Sequence, residues 1–276
     1  LFSLGASYAF QGPILFFLGA KWLSLFEPVL GLTLLFVLAT KSSSHDGKLK
    51  QSCLIPCLLI AILPLAGSAY LANTSSVFVL AAFTYAILLL CAKAFRVTSF
   101  LSSWDVFWAV LFCVYASLLR PTTTPFNVIV LAFALSYSIW KGKSFSLYIF
   151  PVLCALSIFL VATYGYSKHF ATPLYPLLGR GYHITSAGYS TFDGINTLSH
   201  LRNIVTTLFT DPIVLLALAI SFLAIASSSS KSRLPYVLAL SALIFSAVLI
   251  TVSTGGLAAK RYLFPIAIAT SLFSYS

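Results

Sequence analysis

The sequence predicts an all-α protein, a polytopic bundle of about ten helices that cross a lipid bilayer. Its composition is 60% hydrophobic and only 8% charged, with a mean hydropathy of +1.01. In soluble chains about a quarter of the residues are charged, a much larger share than in this chain. Apolar runs of about 20 residues, enough for a helix to cross the hydrocarbon, recur along the chain. Runs such as 77–83 do not alternate in polarity, which favours helices over strands.

The apolar segments form a single predicted transmembrane domain over residues 1–276. The spans are 1–20, 22–40, 52–72, 77–93, 102–119, 125–140, 145–166, 205–226, 234–253 and 262–276. Only one connection, 167–204, is long. The chain begins at Leu1 and contains no Met, so we expect a fragment.

Basic residues in alternate loops predict the orientation of the helices. Cytoplasmic loops carry an excess of Lys and Arg. Here that excess falls in one alternating set of loops, which holds Lys41, Lys48, Lys50, Lys93, Arg96, Lys141, Lys143, Lys231 and Arg233. This set is predicted to be cytoplasmic, and loops 167–204 and 254–261 are predicted to lie outside. The net charge of +11 is spread over thin loops, so no nucleic-acid partner is expected.

Two external sites concentrate the polar groups that chemistry needs. The loop 167–204 contains Arg180, His183 and Asp193 beside Tyr175 and Tyr182. The second site is Lys260-Arg261-Tyr262, where two cations oppose the positive-inside bias. An anionic lipid headgroup would compensate them, because Arg binds phosphate oxygens through a bidentate fork. The competing interpretation is that both cations snorkel to ordinary lipid phosphates.

The remaining polar residues favour structural roles or stay open. Asp105 and Asp211 lie near segment starts, where an aspartate either lies at the membrane interface or caps a helix. Glu27 within an apolar run indicates either a functional carboxylate or a partner for Lys21. The five cysteines lie in apolar runs and favour packing. No metal site or cofactor is predicted, since no ligand spacing is present.

Two stretches at the external sites resemble polytopic glycosyltransferases of the GT-C class, which includes protein mannosyltransferases and lipid A aminoarabinose transferases. The run 172–176, Thr-Pro-Leu-Tyr-Pro, with Leu177-Leu178-Gly179 resembles their Gly-Asn-Pro-aromatic-Pro stretch, with Ala171-Thr172 in place of the Gly-Asn pair. The run 260–265, Lys-Arg-Tyr-Leu-Phe-Pro, resembles their Arg-Tyr-Leu-x-Pro stretch.

The resemblance implies transfer of a sugar from a polyprenyl-phosphate carrier to a glycan, lipid or protein acceptor on the outer face of a bacterial inner membrane. It implies that the catalytic carboxylate lies in a first external loop upstream of Leu1. Within this chain, the implied phosphate-binding residues are Arg180, Lys260 and Arg261, with Tyr262 beside them. His183 and Asp193 are the candidates within this chain for a catalytic role or for orienting the substrate. Tyr175 and Tyr182 would either stack on a sugar face or anchor the loop at the membrane interface.

Two other functions stay open on the sequence. An O-antigen polymerase or ligase also has many helices and a long external loop that bears Arg and His. A transporter or flippase of lipid-linked glycans needs no catalytic residue, but transporters often carry internal repeats and helices interrupted in matching halves. No such pair of interrupted segments is evident in the sequence.

Overall fold

The fold is all-α over the residues that the computed structural model describes. These are 30–40, 77–95, 101–119, 123–170, 211–229, 233–254 and 259–275, with positions 202, 205, 206 and 208–210. Helices make up almost all of this part of the chain, and it contains no strand. The all-α prediction is therefore confirmed. Two predicted segments, 1–20 and 52–72, lie outside the described residues.

Helix bounds follow the apolar runs of the sequence closely. The predicted span 77–93, for example, becomes α2 at Val77–Ala92. The longest helix, α5, continues through residues 167–170, which were predicted to begin the long loop. In chain order the helices are α1 Leu30–Thr40, α2 Val77–Ala92, α3 Ser103–Leu119, α4 Thr124–Trp140, α5 Ser146–Phe170, α6 Pro212–Ser227, α7 Leu234–Thr254 and α8 Ala259–Tyr275, with a 3-10 turn at Lys93–Phe95 after α2.

A break at Asp211 divides the predicted span 205–226. Residues 208–210 are helical, but Asp211 is extended and α6 begins at Pro212. The residue before a proline is pushed away from helical geometry, which explains the break. The buried Asp211 carboxylate accepts hydrogen bonds from the backbone N–H groups of Ile213 (3.0 Å) and Val214 (3.1 Å). The prediction that Asp211 caps a helix is confirmed.

The turn between α4 and α5 is closed by a glycine. Gly142 has φ +90°, a conformation that residues with a Cβ rarely adopt. Its N–H donates to Ile139 O at 2.9 Å, and the N–H of Lys143 donates to Ser138 O at 3.2 Å. These two bonds form a Schellman motif, which satisfies carbonyls at the end of α4 and reverses the chain.

Two helices, α2 and α8, form the centre of the bundle. Helix α2 packs against α3, α4 and α8, while α8 also packs against α6 and α7. Every described side chain of α8 from Leu263 to Ser274 is buried. Helix α4 also contacts α7, and α5 packs against α3 at the periphery. Helices α2, α4, α7 and α8 therefore contact one another in a closed ring, here called the central ring.

The starts of α1 and α2 touch closely at a glycine. A Cβ placed on Gly31 would lie 2.5 Å from Val79 N and 2.6 Å from the carbonyl carbon of Phe78. Backbone atoms cannot yield to such an overlap without a shift of the helix. Gly31 therefore sets the distance between the two helices.

Large apolar side chains cover the outside of the peripheral helices. On α5 they project over much of the circumference, and Phe150 (75% exposed) and Val161 (76%) are among the most exposed. One window, Phe78–Phe95, is long and apolar enough to cross a membrane, with a mean hydropathy of 2.1 over 18 residues. In the other helices, the apolar stretches of the described residues are 10–17 residues long, such as Ser146–Ile158 within α5 and Leu234–Ile250 within α7. The window Phe78–Phe95 is itself 72% buried within the protein.

Candidate functional site

The site residues predicted in the long loop lie outside the described residues. They are Tyr175, Arg180, Tyr182, His183 and Asp193. Glu27 and Lys21 also lie outside them, as do Cys53 and Cys57. The roles predicted for these residues remain predictions.

The second predicted site falls at the beginning of α8. The helix starts at Ala259, so Lys260, Arg261 and Tyr262 occupy its first turn. The first backbone N–H groups of a helix have no partner within it and favour negative charge. Pro265 lies inside the helix and has no N–H to donate to the carbonyl of Arg261, four residues earlier. The predicted cations therefore lie on a helix N-terminus, where the first N–H groups and the Arg261 carbonyl have no regular partner within the helix.

Among the described residues, polar contacts concentrate at one end of the α2–α5 group, here called the lysine end. It comprises the 3-10 turn Lys93–Phe95, residues 101–105 before and within α3, and the turn 141–144. Lys141 Nζ donates to Ala94 O at 3.1 Å, and Tyr148 OH donates to Leu101 O at 3.2 Å. Each of these bonds joins two residues that are 47 positions apart in the chain.

Asp105 is the acidic residue of the lysine end. Its carboxylate accepts from Lys93 Nζ at 2.6 Å, and its side chain is 14% exposed against 43% for Lys93. It also accepts from the backbone N–H of Ser102 at 3.0 Å, and its own N–H donates to Ser102 Oγ at 3.1 Å. This reciprocal pair is a capping box with Asp in place of the usual Glu. The predicted capping role of Asp105 is confirmed, and the ion pair is additional.

Sequence reasoning missed the pairing of Lys93 with Asp105. The two residues are 12 positions apart across a connection, so no helical periodicity relates them. The Ser-x-x-Asp spacing before an apolar run was the one available signal, and it identifies only the cap.

Lys141 is held by two contacts at the end of α4. Its ammonium group lies 4.8 Å from the centroid of the Tyr137 ring, a cation–π contact. The Tyr137 ring also packs on Phe95, with centroids 4.9 Å apart. These contacts hold the end of α4 against the turn after α2, and they fix the position of the Lys141 ammonium group.

A proline in α5 leaves a carbonyl that accepts a hydrogen bond from α3. Pro151 lies in the second turn of α5 and has no N–H to donate to Leu147 O, which is four residues earlier. Ser103 Oγ donates to that carbonyl at 3.3 Å. A carbonyl freed by the proline thus becomes an acceptor for the neighbouring helix.

Aromatic rings form a continuous row on α2 and α3. Trp104 meets Phe107 at 5.8 Å between centroids, Trp108 meets Phe112 at 5.8 Å, and Phe112 stacks on Phe83 at 5.4 Å. The two tryptophans are exposed. The row therefore presents a largely apolar aromatic surface, with the two tryptophans on its exposed side.

Polar side chains without partners lie on all four helices of the central ring. Thr84, Asn127, Ser246 and Thr270 lie on α2, α4, α7 and α8, and each is fully buried. Their side-chain polar atoms form no hydrogen bond. Buried polar groups usually find partners. Protein atoms enclose these groups, so a ligand would reach them only if the helices moved apart.

The described residues offer no group of three His, Cys, Asp or Glu side chains that could hold a metal. Cys91 and Cys113 are free and buried in the core, and Cys154 is free and half-buried. The packing role predicted for these three cysteines is consistent with their positions.

Comparison with known proteins identifies no relative. No protein-family model matches the sequence, and neither a curated protein nor a solved structure matches it. The functional conclusion therefore depends on the residues and on their arrangement in the helices.

Proposed function

We propose that this chain is the helical membrane domain of a glycosyltransferase that moves a sugar from a polyprenyl-phosphate carrier to an acceptor on the outer face of the membrane. The proposal has two levels, a polytopic membrane bundle and the chemistry at the start of α8. Each level has its own support and its own test.

The apolar outer surface carries the membrane level of the proposal. Monomeric soluble proteins rarely expose contiguous apolar patches larger than a few hundred Å². Here exposed Leu, Ile, Val, Phe and Trp side chains cover α5 and continue over α3, α4, α6 and α7. Several Thr, Ser and Asn side chains are buried instead. A lipid environment accounts for apolar side chains outside, because lipid tails are as apolar as they are.

The ends of the helices support the predicted orientation. Loops 94–101 and 141–144, both predicted to be cytoplasmic, meet at the lysine end through the Lys141–Ala94 contact. At the other end of α3 and α4, Thr124 Oγ1 donates to Ser117 Oγ at 2.8 Å, beside the predicted external connection 120–124. When successive helices alternate in direction, their connections lie alternately at the two ends of the bundle, as the predicted orientation requires.

The first turn of α8 supports the chemical level. Lys260 and Arg261 fall on a helix N-terminus, where cationic side chains and backbone N–H groups favour the same ligand, a phosphate. The preceding connection, 254–261, is predicted to lie on the outer side. A lipid-linked sugar phosphate presents its headgroup at that level.

The proposed reaction needs charge stabilisation on the leaving group. The sugar leaves the carrier phosphate as the acceptor hydroxyl attacks, and negative charge remains on the phosphate oxygens. Arg261 and Lys260 stabilise that charge, while a carboxylate takes the proton of the acceptor.

The test is Arg261→Ala in the full-length protein, assayed for sugar transfer from a polyprenyl-phosphate donor in membranes. Loss of one stabilising donor is expected to lower kcat by about 100-fold or more, while the amount of inserted protein stays unchanged. The matched control is Arg233→Ala, because Arg233 lies on an exposed turn predicted to be cytoplasmic and donates to Ser228 O at 2.7 Å. Normal transfer by the Arg261 variant would refute the phosphate-binding role.

A further inference from the structure

The central ring buries an asparagine whose side-chain amide has no protein partner. Asn127 lies in the first turn of α4 and is fully buried. Neither its amide nitrogen nor its amide oxygen forms a hydrogen bond with the described part of the chain. An amide that leaves water without gaining another hydrogen bond is strongly unfavourable. Asn127 is therefore expected to bond to a ligand that is enclosed with it.

The buried face of α4 places Asn127 in the interior. Leu131, Ala134 and Ser138 follow it at steps of four, three and four residues and are buried on the same face. Val128, on the other side of the helix, is exposed. Because α4 packs against α2, α3 and α7, the Asn127 amide lies among helices and not at the outer surface.

A second polar group without a protein partner lies at the same depth on α2. Thr84 is fully buried, and its hydroxyl forms no hydrogen bond with a described residue. The C-terminal ends of α2 and α4 meet where the rings of Phe95 and Tyr137 pack at 4.9 Å between centroids. Packed helices whose C-terminal ends meet run in the same direction. Thr84 lies 11 residues before Phe95, and Phe126, the neighbour of Asn127, lies 11 residues before Tyr137. At about 1.5 Å per residue, Thr84 and Asn127 are within about one helical turn of each other in depth.

The donors and acceptors of these two side chains select the chemistry of the ligand. The Asn127 amide has both a donor and an acceptor, and the Thr84 hydroxyl can serve as either. A cation would leave the amide N–H groups unmatched, and an anion would leave the amide oxygen unmatched. The sequences of α2 and α4 also contain no charged side chain that could balance an ion. Water donates and accepts, and a buried water makes about three hydrogen bonds.

We propose that water binds inside the central ring between α2 and α4, hydrogen-bonded to the Asn127 amide and to the Thr84 hydroxyl. Water is small enough to be enclosed as the helices pack, so the site needs no opening to the surface. It links the first turn of α4 to the middle of α2 through bonds that the two side chains do not form directly. The proposal goes beyond the proposed function and does not depend on sugar transfer.

Water-edited solid-state NMR of the full-length protein in lipid vesicles tests the site. Magnetisation that starts on water protons reaches a nitrogen within milliseconds only where water lies beside it. The protein is labelled with ¹⁵N-asparagine, and the Asn127 side-chain signal is identified by its loss in Asn127→Gln. A rapid transfer from water to the Asn127 amide is expected, as rapid as the transfer to lysine ammonium groups in a ¹⁵N-lysine sample.

Matched variants test whether the two helices share the water. Thr84→Val keeps nearly the same size but removes the hydroxyl, so the transfer to the Asn127 amide is expected to slow. Ser157→Ala is the control, because Ser157 Oγ donates to Leu153 O within the exposed helix α5. This variant is expected to leave the transfer unchanged. Replacement of sodium by choline and of chloride by gluconate is expected to leave the Asn127 amide chemical shifts unchanged.

Three outcomes would overturn the proposal. Slow transfer to the Asn127 amide in the unsubstituted protein would show a dry interior, and this result does not require any variant to fold. Rapid transfer that Thr84→Val leaves unchanged would contradict a water shared by α2 and α4. Amide chemical shifts that follow the sodium or chloride concentration would identify an ion in place of water.

Discussion

Helices α2 and α5 are both strongly apolar, yet they occupy opposite environments. Almost every described side chain of α2 is buried or half-buried against α3, α4 and α8. Helix α5 packs against α3, and most of its described side chains are exposed. An apolar helix that is buried like α2 is stable in a water-soluble protein. Exposed apolar side chains like those of α5 are unfavourable in contact with water. The difference shows that apolar side chains serve two purposes here, protein packing in α2 and contact with the surroundings in α5.

The largest expected difference between the two helices comes from the same substitution in each. Phe78 on α2 is buried and Phe150 on α5 is exposed. Phe78→Ala leaves a cavity and is expected to lower the free energy of unfolding by about 3–5 kcal/mol. Phe150→Ala is expected to change it by less than about 0.5 kcal/mol. Reversible unfolding in mixed micelles, followed by circular dichroism, measures both, and equal losses would contradict the contrast between α2 and α5.

A charge on α5 tests whether its exposed face meets lipid or water. Leu153 lies on that exposed face, within the span predicted to cross the bilayer. Leu153→Arg is expected to cost about 2.5–3.5 kcal/mol of apparent insertion free energy, because a charge at the centre of a spanning helix is unfavourable. The fraction of chains integrated into microsomal membranes measures it.

Phe145→Arg is the matched control for that charge. Phe145 is exposed on the turn at the start of α5, and an Arg there can extend its head to the interface. Its cost is expected to be a small fraction of that at position 153. Full integration of Leu153→Arg, together with increased solubility, would indicate a water-facing helix.

The smallest expected effect concerns the contact that joins α5 to α3. Ser103→Ala removes the donor to Leu147 O and is expected to lower the free energy of unfolding by about 1 kcal/mol. Ser157→Ala is the control, since Ser157 Oγ donates to Leu153 O within the same exposed helix. Its loss is expected to be smaller.

A double-mutant cycle connects this effect to the proline. Pro151→Ala supplies an N–H for Leu147 O, so Ser103→Ala should cost little in that background. Additive losses from the two substitutions would show that the carbonyl freed by Pro151 is not the reason for the contact.

Much of the local structure could be predicted from the sequence. The ends of α2, α3, α4 and α7 fall within two residues of the predicted spans, because polar or glycine-containing connections separate the apolar runs. Asp211 before Pro212 and Asp105 after Ser102 were recognisable as caps for a similar reason. Capping and chain reversal act within a few residues, so they leave a local signal.

The contacts of the candidate site could not be predicted in the same way. The Lys93–Asp105 ion pair and the Lys141–Ala94 bond join residues that only the packing of α2, α3 and α4 brings together. The sequence predicted that Lys260 and Arg261 lie at the start of the last helix, and they do. The structure describes the backbone of these residues and not the contacts of their side chains.

The sequence by itself determined where the helices form, that they are apolar enough to favour a membrane, and which connections carry the positive charge. Only the tertiary structure decided which helices lie at the centre and which at the surface. The physical reason is that helices such as α2 and α6 are apolar around their whole circumference, so no polar face marks the side turned away from the core. Close contacts, such as that of Gly31 with the start of α2, make that choice instead.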